Sequence, residues 1–153
     1  MTHEHFLHRA LSLAQEAKSS GEVPVGAIIV KNNEIISEGY NQPIQLNDPT
    51  AHAEIIAIRA AAKKLNNYRL NECVMYVTLE PCVMCVGAMI HARIKKLIFG
   101  AADPKTGAVC SAFHLLNDLK HNHQIPYEEG ILKSECSTTL KNFFQEKRLK
   151  NVK

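Results

Sequence analysis

The chain has 153 residues, 46% hydrophobic and 22% charged, a composition that fits a folded globular protein and excludes a disordered or fibrous one. A single domain over residues 1–153 is expected at this length, with a core large enough to need no disulfide staples. No apolar run approaches the ~20 residues of a membrane helix, and the opening MTHEHFLHRA has histidines where a signal peptide would turn apolar. Five cysteines without an export signal argue against a disulfide framework, so a cytoplasmic protein with no membrane partner is expected.

The net charge of +3 is unevenly spread. Residues 141–153 hold five basic groups (Lys141, Lys147, Arg148, Lys150, Lys153) against Glu146, a local balance of +4, while the other 140 residues carry 13 basic and 14 acidic groups. Such a segment is either a solvated helix end, where cations complement the helix dipole, or a contact surface for a polyanion.

In chain order, Phe6 to Lys18 places apolar residues at helical spacing. Gly26–Val30 and Glu34–Glu38 are short β-favouring runs flanking Asn32-Asn33, the signature of a tight hairpin. Asn41 to Thr50 reads as an ordered loop. The alanine-rich stretch from Ala51 to Leu65 predicts a helix able to approach a sheet closely. Cys73–Leu79 is a continuous apolar strand, and a helix follows from Pro81 to about Ala92, with Pro81 suited to its first position. Leu97–Gly100 predicts a fourth strand. A short helix near Ala112–Leu119, a weak strand near Gln124–Tyr127 and a basic final helix over about 134–150 complete the chain. Two hairpin strands followed by alternating strands and helices predict an α/β domain, with a mixed five-stranded sheet covered on both faces.

Two clusters carry the chemistry, each at the start of a predicted helix: His52-Ala-Glu54 and Pro81-Cys-Val-Met-Cys85. Cys82 and Cys85, three apart, lie about 60° apart around a helix and one turn along it. That spacing lets two thiolates hold one ion at about 2.3 Å each. A helix N-terminus also favours the thiolate form. A closed structural zinc site needs a fourth protein ligand. Cys73 sits at the far end of its strand and His91 is turned off the ligand face, while Cys110 and Cys136 have no spacing relation to the pair, although a fold could bring Cys110 close. Three ligands, His52, Cys82 and Cys85, with an open position describe a catalytic zinc. Glu54 is then the expected proton carrier. Glu80 is its rival, at a position that turn geometry can also explain.

His-x-Glu followed by Pro-Cys-x-x-Cys is the zinc deaminase signature. Its wording here resembles that of the bacterial tRNA-specific adenosine deaminases, within the cytidine and deoxycytidylate deaminase superfamily. The similar stretches run along nearly the whole chain: Glu22–Ala27, Gly39–Asn41, Asp48–Glu54, Tyr68–Leu70, Tyr76–Cys85, Gly87–Arg93 and Phe99–Ala101. The resemblance implies a cytidine-deaminase-like three-layer α/β/α sandwich and a homodimer. It implies one zinc per subunit on His52, Cys82 and Cys85, with Glu54 as proton shuttle. The activity implied is that of a hydrolase acting on a cyclic amidine: adenosine becomes inosine at the wobble position of a tRNA anticodon arm. It further assigns substrate contacts to Asn41 and the backbone of Ala53 at the base, to Asp103, and to Phe144 and Arg148 on the final helix. Two alternatives remain at this level. One is a deaminase of free guanine, cytidine or deoxycytidylate, with the same zinc chemistry and a different pocket; the other is an RNA-binding module whose zinc is structural.

Overall fold

A computed structural model describes residues 1–151; Lys153, the last of the basic residues singled out above, lies outside them. The chain runs α1 (His3–Ser19), β1 (Gly26–Lys31), β2 (Glu34–Tyr40), α2 (Pro43–Leu46), α3 (Ala53–Leu65), β3 (Cys73–Leu79), α4 (Val83–Ala92), β4 (Lys96–Ala101), β5 (Tyr127–Glu129) and α5 (Lys133–Asn151). The five strands form one mixed sheet in the order β2-β1-β3-β4-β5. β1 is antiparallel to both its neighbours, whereas β3, β4 and β5 are parallel.

The hairpin closes as its sequence predicts. Asn32 and Asn33 both take positive φ, 52° and 62°, as a two-residue turn matched to the strand twist requires. A bulge between Ile29 and Val30 bends the pair.

The continuous apolar runs divide by strict alternation between two faces. Ala27 and Ile29 of β1, Met75 and Val77 of β3 and Leu97 and Phe99 of β4 pack under α3 and α4. Their neighbours Ile28, Val30, Tyr76 and Ile98 pack under α1 and α5. α3 meets the sheet through Ala53, Ala57 and Ala61, a stripe of small residues one turn apart that lets the backbones approach. Gly39 completes that approach on β2, since a Cβ there would stand 2.5 Å from the Ala53 carbonyl oxygen and 2.8 Å from the Ala57 nitrogen. Neither atom belongs to a movable side chain. Gly39→Ala is therefore expected to displace the start of α3 and to cost about 1–3 kcal/mol, as overpacking does, read as a lower urea midpoint at unchanged slope.

Three local expectations are corrected. Asn41 to Thr50 contains the one-turn helix α2. The helix expected near Ala112–Leu119 is absent: the chain there is a series of turns. Val109, Cys110 and Ser111, which lead into it, donate to the Glu80 carboxylate, and its own donors are committed elsewhere, Ala112 and Phe113 to the Gly107 carbonyl and Leu115 to that of Ala108. The last strand falls at Tyr127–Glu129 instead of Gln124–Tyr127, because Pro126 has no N–H and joins the sheet only by accepting from Leu97. The final helix begins at Lys133, one residue before the sequence boundary, and runs to the end of the described residues.

Candidate active and metal site

The carboxyl end of β3 and the starts of α3 and α4 converge. His52 is the N-cap of α3 and Cys82 the N-cap of α4; both are extended, and neither side chain caps its own helix. Pro81 accordingly lies just outside α4, two residues before the first helical position expected for it, and its carbonyl accepts the Ala108 N–H at 2.8 Å. Cys85, three residues after the cap, is fully buried in the first turn of α4.

These elements bring together the three residues that the spacing singled out. His52 Nδ1 lies 3.6 Å from Cys82 Sγ and 3.6 Å from Cys85 Sγ, and all three ligand atoms fall within 4.8 Å of one another. With zinc–ligand bonds of about 2.3 Å to sulfur and 2.0–2.1 Å to nitrogen, a tetrahedral N···S edge is about 3.6 Å. Among the described residues no other histidine, cysteine or carboxylate joins this set. Cys110, which a fold could have delivered, instead hydrogen-bonds Glu129. Two cysteine sulfurs, bound as thiolates, and an imidazole at these distances fit one zinc ion per chain, with one tetrahedral position left to a non-protein ligand.

The electrostatics agree with the donor set. In the metal-free chain the Cys85 thiol donates to Cys82 and holds it as a thiolate, with a pKa of about 4, assisted by His52 against the opposing effect of burial. Cys85 is raised in turn by that same bond and by burial. His52 is raised, first by its bond to Cys82. Glu54, only 4% exposed, is pushed up to about 7 by burial. A carboxyl that titrates near neutrality beside a metal-ligand set is suited to exchanging protons.

Glu80, the rival, has another occupation. Its buried carboxylate accepts the N–H groups of Asp103, Val109, Cys110 and Ser111 and the Ser111 hydroxyl. Burial alone would raise its pKa, but these donors outweigh it and hold the group below the usual carboxylate range. A Cβ on Gly107 would lie 2.4 Å from this carboxyl carbon, so the loop fits only around a glycine. Glu80 thus organises residues 103–111 into one wall of the site. Glu80→Gln turns an amide NH₂ toward N–H donors and is expected to cost about 2–4 kcal/mol. The contribution of Glu80 is complete above its unfolded pKa and is lost as pH falls through the lower folded value. The wild type should therefore lose stability below about pH 4.5, a loss the variant lacks, and amide exchange in 103–111 should accelerate in the variant.

The remaining sequence-singled residues separate into two places. Asn41 directly follows β2 and accepts the Ala53 N–H on Oδ1 at 2.8 Å, so the amide is fixed with Nδ2 as its free donor face. The Ala53 side chain is fully buried and takes no part in the cleft. Asn41, His52, Glu54, Cys82 and Asp103 line a cleft of about 260 Å³. Asp103 accepts from the backbone of Lys105 and Thr106 and from the Thr106 hydroxyl, which shapes the cleft rim. A second groove of about 650 Å³ shares Asp103 and Thr106 with the cleft and is bounded by Lys141, Phe144 and Arg148 of α5. Of the paired aromatics, Phe143 is buried and Phe144 is 43% exposed.

Sequence reasoning missed Glu22. Its buried carboxylate accepts the N–H groups of Ile44 and Gln45, substituting for the cap that Gln42 does not give α2. No local signal marks such a residue, because its partners are more than twenty positions away.

Residues 1–101, which contain all three members of the donor set, match the family described as "Cytidine and deoxycytidylate deaminase zinc-binding region". The chain is 53% identical over 146 residues to a tRNA-specific adenosine deaminase of Haemophilus influenzae, covering 95% of this chain and 84% of the relative. It is 49% identical over 151 residues to one of Aquifex aeolicus, covering 99% and 98% respectively. The chain belongs to the tRNA-specific adenosine deaminase family. A solved tRNA:A34 deaminase, from work on A-to-I editing at the wobble position of transfer RNA, superposes with a TM-score of 0.86 at 42% identity, over 89% of this chain and 99% of that one. The five-stranded sheet with helices on both faces is thus the deaminase fold, and the metal set lies inside the zinc-binding region of a tRNA-specific adenosine deaminase family member. Among the described residues no helix is long and apolar enough to cross a membrane.

Proposed function

We propose that this chain hydrolyses adenosine to inosine at the wobble position of a tRNA anticodon, releasing ammonia. The observation that carries the proposal is the buried Glu54 carboxyl beside a three-residue zinc set that opens onto a cleft. A merely structural zinc gives no reason for a carboxylate that ligates nothing to be buried there. Membership in the tRNA-specific adenosine deaminase family supports the choice of adenosine in RNA over a free base.

The overall reaction exchanges the C6 amino group of adenine for the oxygen of water. Zinc, held by His52, Cys82 and Cys85, supplies a Lewis acid that makes water nucleophilic near neutral pH. Glu54 would take one proton from the water as its oxygen bonds to C6 and pass it to the ring nitrogen, then take the remaining hydroxyl proton and pass it to the amino group. The C6–N bond breaks, ammonia leaves, and the carboxyl is restored to its starting state. Asn41, oriented by the Ala53 N–H, presents its Nδ2 donors to an acceptor on the base; Ala53 acts through this bond. Asp103 fixes the rim. A target base has to leave its stack to reach C6, which favours a single-stranded loop as substrate.

Phe144 and Arg148 are assigned to the RNA, in the groove that continues the cleft. Lys141 lies on the same wall, whereas Lys147 is seated over the Phe143 ring at 5.4 Å. Truncation after Gln145 removes Arg148 and spares both aromatics. It is expected to weaken RNA binding and to flatten the dependence of log K on log salt by about 0.7 per lost single-strand phosphate contact, at unchanged zinc content. Coincident slopes would reduce the basic tail to a solvated helix end. The same reading takes the enzyme as a cytoplasmic homodimer, which rests on family membership. Ammonia release from an anticodon stem-loop, compared with free adenosine, guanine and cytidine, tests the substrate assignment; equal turnover of a free base would overturn it.

A further inference from the structure

One buried carboxylate near the cleft takes no part in the chemistry. Glu22 is 2% exposed, and among the described residues no cation pairs with it. The end of α1 delivers it. Gly21 takes φ 81°, and the Gly21 and Glu22 N–H groups return to the Lys18 and Ala17 carbonyls at 3.0 and 2.9 Å. That pairing closes the helix through a left-handed residue and gives Glu22 a rigid base. Its two carboxylate oxygens then accept the Ile44 N–H at 3.2 Å and the Gln45 N–H at 2.8 Å, one each.

Core packing does not account for this arrangement. α2 is four residues long and buries none of them, and Ile44 and Leu46 are exposed. Apart from the two bonds to Glu22, the hydrogen bonds of Pro43–Leu46 stay within residues 42–48, among the described residues. Burying a carboxylate is costly unless it is well paired, and here it holds a turn that adds nothing to the core. The turn lies where the cleft needs a wall. Val23 and Val25 on the Glu22 side, and Asn41 and Pro43 on the α2 side, all line the cleft. Asn41 is anchored by its own bonds to Val25 and Ala53. Pro43 has no N–H to donate and is fixed through α2, hence through Glu22.

We propose that Glu22 is a positioning residue for the substrate base: it clamps α2 so that Pro43 stands beside Asn41 before the base arrives. Glu80 fixes the other wall, which holds Asp103 and Thr106, by the same device, a buried carboxylate that accepts main-chain N–H groups. A wall set in advance removes from binding the entropy cost of ordering that segment. Such a clamp acts equally on bound substrate and on the transition state, so its loss raises KM and leaves kcat. The inference rests on the function proposed above only for the identity of the substrate.

Two variants test the clamp in the zinc-loaded, full-length protein. Glu22→Gln keeps one acceptor oxygen, whereas Glu22→Met keeps the length of the side chain and removes both acceptors. With an anticodon stem-loop as substrate, KM should rise about threefold in the first and about tenfold or more in the second, with kcat within about twofold of the wild type. Amide exchange at Ile44 and Gln45, which needs no turnover, should accelerate in the same order. Zinc content and the pH profile of kcat, which Glu54 sets, should not change. An unchanged KM in Glu22→Met overturns the proposal and reduces Glu22 to a local cap. So does a fall in kcat together with zinc, or a Glu22→Met chain that fails to fold, since either would place the residue in the scaffold. Turnover of a free base in place of the stem-loop would overturn the function proposed above, and the clamp would then be judged by the same KM ratio on that base.

Discussion

Glu54→Gln is expected to keep the fold and the zinc while losing about 10²–10⁴-fold in kcat, the range of general acid–base catalysis, and more if the one group handles every proton. The substitution preserves shape at a residue that ligates nothing, so the loss should fall on turnover and leave KM for RNA nearly unchanged. A stability readout accompanies it. Burial raises this carboxyl to about 7 in the metal-free chain, well above its unfolded value. The folded state therefore holds the proton more tightly than the unfolded one, and the ionised group counts against folding increasingly as pH rises from its unfolded pKa to about 7. Neutral glutamine removes that burden, so the zinc-free variant should be more stable than the zinc-free wild type at pH 8 and equal to it near pH 4. A variant that keeps a tenth of normal turnover would move proton transfer to another group, and the five donors on Glu80 make that residue a poor substitute.

Cys82→Ala and Cys85→Ala should each abolish both bound zinc and activity. The three ligands come from two helix starts some thirty residues apart in sequence, so the ion ties α3 to α4, and its binding to the native state adds to stability. The informative comparison is thermal unfolding with and without a strong chelator. Chelation should lower the wild-type midpoint by several degrees and leave both variants unmoved. A Cys82→Ala protein that retains stoichiometric zinc by elemental analysis would remove Cys82 from the donor set.

What the sequence disclosed, and what it hid, follows from the range of the interactions involved. β3 was legible to the residue because a seven-residue apolar run ending at Glu80-Pro81 has one reading. The donor set was legible because its spacing within each helix start is local. The assignment of faces was latent in the alternation of Ile28 with Ile29 and of Ile98 with Phe99, although both faces are apolar. Residues 112–119 were misread as helical because the segment leading into them, Val109 to Ser111, is tied to the Glu80 carboxylate some thirty positions upstream, which leaves no mark on local propensity. Glu22 was overlooked for the same reason.

The two borders of the sheet have a consequence for solubility. β5 contributes only three residues, and Glu128 on it is bound by Lys96 at 2.6 Å and His3 at 3.1 Å. At the other border β2 is bent by its bulged pairing with β1, and Glu38 is engaged by Arg9. A foreign strand seeking main-chain hydrogen bonds would meet a template too short on one side, and a bent, charged one on the other. The native protein should accordingly resist strand-templated aggregation at high concentration, so any ordered assembly it forms has to be made through its helices and loops.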